Sequence, residues 1–105
     1  MKIKDLKPGM EGVNLEVTVI KLEKPRKVRT YTGIEHIILE GEVEDDTGRA
    51  PINFWNEKID VIDGIGVNAR IRILNCFISS FKGVLQINVG RGSEVINLRG
   101  GSSAQ

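Results

Sequence analysis

A single tryptophan, Trp55, closes the run Gly48-Arg49-Ala50-Pro51-Ile52-Asn53-Phe54-Trp55. In an extended strand successive side chains point to opposite faces. Ala50, Ile52 and Phe54 then share an apolar face, while Arg49, Pro51, Asn53 and Trp55 share the other. Core packing does not account for an indole beside a cation and an amide. Such a residue suits flat, apolar ligands with polar edges, and nucleobases are the commonest of these. The only other aromatic side chains are Tyr31, Phe54, Phe77 and Phe81. Phe77 and Phe81 belong to Phe77-Ile78-Ser79-Ser80-Phe81-Lys82-Gly83, where a strand turns into the next one. Stacking on such residues contributes about 1–3 kcal/mol per base and tolerates any base. Lys82, Arg91, Arg49 and the cluster Lys21, Lys24, Arg26, Lys27 and Arg29 supply charge for phosphates, and Asn53 an amide on the same face as Trp55.

Each of these residues also has a structural reading. Trp55 could cap the end of a barrel, and Phe81 could plug its mouth. Phe77 shares the parity of Ile71 and Ile73, so it faces outward only if a β-bulge intervenes. Phe54 reads as core, Cys76 as a small core hydrophobe, and His36 and Tyr31 as surface residues. The basic cluster reads equally as a solvated loop. The carboxylate run Glu40 to Asp46 has no His or Ser partner in sequence, so acid–base catalysis is not expected. Gly90-Arg91-Gly92 lacks the Lys-Ser/Thr of a phosphate loop.

The elements that must position these side chains are strands. Pro8-Gly9 breaks the N-terminal segment. Val13, Leu15, Val17 and Val19 alternate with polar residues, a half-buried strand continuing toward Lys27. Lys24 to Thr32 reads as a basic loop or hairpin. A second strand spans about Ile34 to Glu44, with Ile37, Leu39, Gly41 and Val43 on one face and Ile38, Glu40, Glu42 and Glu44 on the other, where by parity the glutamates could face the groove and repel phosphate. Asp45-Asp46-Thr47-Gly48 is a tight turn into the third strand, Arg49 to Asn56. One or two helical turns fit between Glu57 and Gly66. A fourth strand runs from Val67 to about Ser79, a fifth from Val84 to Val89, and Glu94 to Leu98 reads as a short further pairing segment. The fold class is therefore all-β: a five-stranded Greek-key OB-fold barrel with a short helix or loop between strands 3 and 4. Residues 1–98 form one domain, and the Gly/Ser-rich residues 99–105 a flexible C-terminal tail.

Composition narrows the function classes. The net charge of +1 gives no global basic signal, although the charges are unevenly distributed. One Cys and one His leave no internal disulfide and no protein-built metal site. No apolar run approaches the ~20 residues of a membrane span. No cofactor, no metal and no membrane partner are expected.

Asp45-Asp46-Thr47-Gly48-Arg49 followed by Trp55, then Asn75-Cys76-Phe77 and Phe81-Lys82-Gly83 with Leu85, resembles the single-OB single-stranded DNA-binding proteins of archaea. It is also similar to OB domains of archaeal replication protein A. The resemblance covers residues 5 to 92 and implies that Trp55, Phe77 and Phe81 stack bases. Some relatives carry a further aromatic where this chain has Asn88. The implied function is non-catalytic binding of single-stranded DNA with little sequence preference, in replication, recombination or repair. The implied setting is the prokaryotic cytoplasm, at the nucleoid. The alternative is a protein-interaction OB domain of a replication protein A-like complex, partnered by other replication or repair subunits.

Overall fold

The computed structural model describes residues 1–98; the expected tail, 99–105, lies outside them. A short 3-10 turn (Ile3–Asp5) leads into seven strands and one helix: β1 (Val13–Leu22), β2 (Arg26–Arg29), β3 (Glu35–Asp45), β4 (Gly48–Trp55), α1 (Lys58–Ile65), β5 (Arg70–Phe81), β6 (Val84–Val89) and β7 (Glu94–Asn97). Five strands close a barrel in the order β1-β3-β4-β6-β5, with β5 returning to β1. The β4–β6 pair is parallel and the other neighbours are antiparallel. This is the expected OB-fold. The helix lies where the third and fourth expected strands are joined.

Strict alternation builds the barrel. Val13, Leu15, Val17 and Val19 of β1 are buried and meet Val43, Ile52, Phe54, Ile71, Ile73, Ile87 and Val89 in one core. Ile59 and Ile62, three residues apart on α1, close one end of it, and Gly66 at φ 90 stops the helix without the steric cost other residues would meet. Phe54 is fully buried, which contributes about 1.5–3 kcal/mol relative to exposure.

Strand β1 serves both halves of the barrel, pairing with β5 through Val13–Thr18 and with β3 through Thr18–Leu22. The register with β3 shifts between Val19 and Lys21, the extra residue that lets a strand bend. At that bend Gly41 crosses so close to β1 that a Cβ would collide with the Lys21 carbonyl oxygen. Gly41 is fixed by this approach.

Two expectations change. The first strand ends at Leu22 instead of continuing toward Lys27, while the basic segment takes the hairpin form of its two readings, its strand β2 pairing with β3. Ile37 was expected to share a face with Leu39 and Val43, but they are buried while it is 43% exposed. At Ile37 the neighbour of β3 is β2, since β1 joins only from Gly41 onward, so no core lies beneath it.

Candidate nucleic-acid interface

The outer face of β4, β6 and β5 carries the candidate residues. Directly paired residues project to the same side of a sheet, so the register defines the rungs. Glu40, Asn53, Asn88 and Phe77 form one rung across β3, β4, β6 and β5. Gln86 pairs with Ser79 and Val84 with Phe81 on the same side. Trp55 stands one step beyond Asn53, opposite Ile38.

Phe77 faces outward because β5 contains the bulge its parity required. Val13 pairs with Cys76 and Leu15 with Ile73, so three steps on β5 answer two on β1. Asn75 occupies the bulge at φ 61, a conformation Asn tolerates better than most residues. The phase then inverts. Ile71 and Ile73 are buried, then Cys76 and Ile78, leaving Phe77 42% exposed. The bulge is braced by the β6–β7 loop. Asn75 Nδ2 donates to the Gly92 carbonyl at 3.0 Å, and Ser93 Oγ donates to the Asn75 carbonyl at 2.8 Å. Beneath it, the buried Cys76 thiol donates to the Val13 carbonyl at 3.3 Å. Burial pushes its pKa up to about 11, so it behaves as the expected core hydrophobe.

Trp55 is half-buried and held on two sides. Its Nε1–H donates to Asn88 Oδ1 at 3.1 Å, and His36 meets it edge-on, with ring centroids 5.5 Å apart at 82°. Trp55, Phe77, His36, Asn56 and Arg91 line one cleft. Asn88, 2% exposed, ties this region together. Its Oδ1 also accepts from Asn53 Nδ2, at 3.3 Å, and its Nδ2 donates to Ser79 Oγ at 2.9 Å. Asn88 therefore fixes the orientation of the Trp55 indole. Sequence gave no sign of this, because it depends on parallel pairing of β4 with β6.

Phe81 sits at the far end of the same face, 61% exposed. Lys82 and Gly83 both have positive φ, 52 and 81, as a tight two-residue hairpin of the I′ kind requires. Lys82 Nζ lies over the Phe81 ring, 5.3 Å from its centroid.

The remaining expected residues divide. Asn53 is 7% exposed, and its Nδ2 is engaged by Gln86 at 2.8 Å as well as by Asn88. Burial makes it a brace rather than the free amide its strand parity suggested. Arg49 and Glu44 pair at 2.9 Å, and Arg26 and Glu40 at 3.0 Å. The Arg26 hydrogen bond holds the Glu40 carboxyl below its usual range. Glu40 and Glu44 do share the Trp55 face, and each is partnered by a cation. Lys27 and Arg29 project to the other side of the β2–β3 ribbon, since they pair with Ile37 and Glu35 while Arg26 pairs with Ile38; Arg29 also binds Glu35 at 2.7 Å. Lys24 lines a second groove with Arg26, Glu40, Glu42 and Pro51. Lys24 and Arg91 have no ion-pair partner among the described residues. Arg49 lies six residues from Trp55 along β4, about 20 Å, outside the Trp55 cleft.

The Asp45 turn has a structural task. Burial disfavours the Asp45 carboxylate, but the Thr47 hydroxyl and the backbone N–H groups of Ile3, Thr47 and Gly48 outweigh it and lower its pKa. The turn anchors the N-terminal segment. No His, Cys, Asp or Glu grouping suited to a metal exists among the described residues, and none of their helices is long and apolar enough to cross a membrane.

Residues 6–96 match the family model of Ssb-like single-stranded DNA-binding proteins with an OB fold. The chain belongs to this family. The Ssb-like assignment agrees with a curated relative, the single-stranded DNA-binding protein Ssb of Saccharolobus solfataricus, 33% identical over 94 residues. That alignment covers 90% of this chain but 61% of the relative, so the chain spans less than two thirds of that protein. Among solved structures, the replication factor A-related protein of Methanobacterium thermoautotrophicum superposes with a TM-score of 0.78 at 28% identity, covering 93% of this chain and 89% of that one. The second OB-fold domain of replication protein A from Methanococcus maripaludis gives 0.76 at 17% identity, with 93% of each chain covered, a likeness of fold. The Ssb-like family is one of non-catalytic single-stranded DNA binders.

Proposed function

We propose that this chain binds single-stranded DNA with little sequence preference and without catalysis, in replication, recombination or repair at the prokaryotic nucleoid. Bases stack on Trp55, Phe77 and Phe81, and Arg91, Lys82 and Lys24 hold phosphates. The observation that carries this reading is the cleft in which outward-facing Trp55 and Phe77 meet unpaired Arg91. Stacking is indifferent to base identity because every base has a π-face, which gives sequence tolerance.

Few free cations border the face, because Arg26, Arg29 and Arg49 are already paired. Each neutralised phosphate steepens the logarithmic salt dependence by about 0.7 for single strands. Three contacts then predict a slope of about −2, shallow for a nucleic-acid binder. Titrating oligo-dT against Trp55 fluorescence at several salt concentrations tests both parts. Quenching with a shallow slope supports the proposal; no quenching at low salt removes it.

The competing reading is a protein-interaction domain within a replication protein A-like complex. It draws on the β2–β3 hairpin, where Tyr31 is wholly exposed and Ile34 is 57% exposed. DNA-independent association with other replication subunits, together with absent quenching, would favour it.

A further inference from the structure

His36 was expected to be an ordinary surface residue, but the structure sets it beside Trp55 in a defined chemical form. Asn56 clamps the backbone of Ile37 from both sides: its N–H donates to the Ile37 carbonyl at 2.7 Å, and its Oδ1 accepts from the Ile37 N–H at 3.0 Å. That second bond fixes which end of the amide is oxygen. The Asn56 Nδ2 is therefore the atom 3.1 Å from His36 Nδ1. An amide NH₂ only donates, so Nδ1 must accept. A neutral imidazole that accepts at Nδ1 carries its proton on Nε2. His36 is thus held as the Nε2–H tautomer.

The other side-chain donors of the cleft are largely committed. The Trp55 Nε1–H is spent on Asn88, and one hydrogen of the Asn56 amide on His36. Beyond the second hydrogen of the Asn56 amide, Arg91 and the His36 Nε2–H remain. The imidazole stands nearly perpendicular to the indole, so it does not form a parallel stack with Trp55. Glu35 and Glu57 also border the cleft; Glu35 is paired with Arg29.

We propose that His36 is a contact residue of this interface, its Nε2–H donating to an acceptor oxygen of a strand lying in the Trp55–Phe77 cleft. The proposal rests on the single-strand reading above. The oxygen is either a phosphate oxygen or a base keto oxygen. Oligo-dT carries both kinds, whereas oligo-dA carries no keto oxygen.

The test has two parts. Nitrogen-15 spectra of the labelled imidazole at mildly alkaline pH should show the Nε2–H tautomer. Affinities for oligo-dT and oligo-dA should then be measured for the native chain, His36→Phe and His36→Gln, each checked for folding by its backbone amide spectrum. His36→Phe keeps a flat ring without a donor and should lose about three- to tenfold, the scale of one hydrogen bond. His36→Gln restores a donor and should stay within about twofold of the native chain. Loss on oligo-dT alone assigns a keto oxygen; equal loss on both assigns phosphate. An Nδ1–H tautomer, unchanged binding by His36→Phe, or equal loss in both variants overturns the proposal. A native chain that binds neither oligonucleotide defeats the single-strand reading itself.

Discussion

The two ends of the proposed binding face are built differently. At one end Trp55 is half-buried, its indole N–H tied to Asn88 and its ring edge met by His36. At the other, Phe81 stands 61% exposed on a two-residue turn, with the flexible Lys82 side chain against its ring. Phe77 lies between them, four residues from Phe81 on β5 and about 13 Å away, directed outward by a braced bulge. A preorganised platform loses little freedom when a base arrives, whereas an exposed one must be ordered at that moment. The Trp55 end should therefore supply affinity, and the Phe81 end should accommodate strands of varied path.

Breaking the Asn88 network tests the rigid half most severely. Asn88→Leu leaves the Trp55 N–H and Ser79 without their partner and puts an alkyl group against the Asn53 amide. Denaturant unfolding should show a loss of about 2–3 kcal/mol, the scale of buried unsatisfied groups. The folded fraction should show Trp55 emission with greater rotational freedom. If stability and indole anisotropy are both unchanged, the network does not hold the platform.

Removing each platform sharpens the contrast. Trp55→Ala should weaken single-strand affinity by about 2–3 kcal/mol, the upper part of the range for stacked bases, with little change in stability. Phe81→Ala should cost about 1 kcal/mol, the lower part of that range. Equal losses would erase the distinction between the ends, and a larger loss at Phe81 would reverse it.

The smallest effect belongs to Arg49. Its partner Glu44 already satisfies it, and exposed pairs of this kind contribute little. Arg49→Ala should change affinity by no more than about 0.5 kcal/mol. A loss on the scale of Trp55→Ala would mean that the strand path extends along β4 to the Asp45 turn.

The barrel was legible in the sequence because its strands alternate cleanly: Val13 to Val19 and Ala50 to Phe54 announce their buried faces. The outward direction of Trp55 followed from the same parity. Phe77 was not settled by alternation, since a single inserted residue inverts every side chain after it. Asn75 within an apolar strand was the available sign of that insertion. The fates of Asn53, Arg26 and Arg49 lay beyond local reading, because each is decided by a residue on a neighbouring strand whose register the sequence does not state. His36 was passed over for the same reason. It becomes part of the cleft through a diagonal contact across β3 and β4 and through Asn56, nineteen positions from Ile37.

The central claim is that one face of the barrel, β4-β6-β5, receives the strand. Adding oligo-dT to isotope-labelled protein and following backbone and indole N–H signals tests it directly. Shifts are expected at the Trp55 indole and at Phe77, Ser79, Phe81, Asn88 and Arg91, with Glu16, Arg70 and Arg72 on the opposite wall unmoved. Shifts centred on Glu16, Arg70 and Arg72, with a silent Trp55 indole, would contradict it.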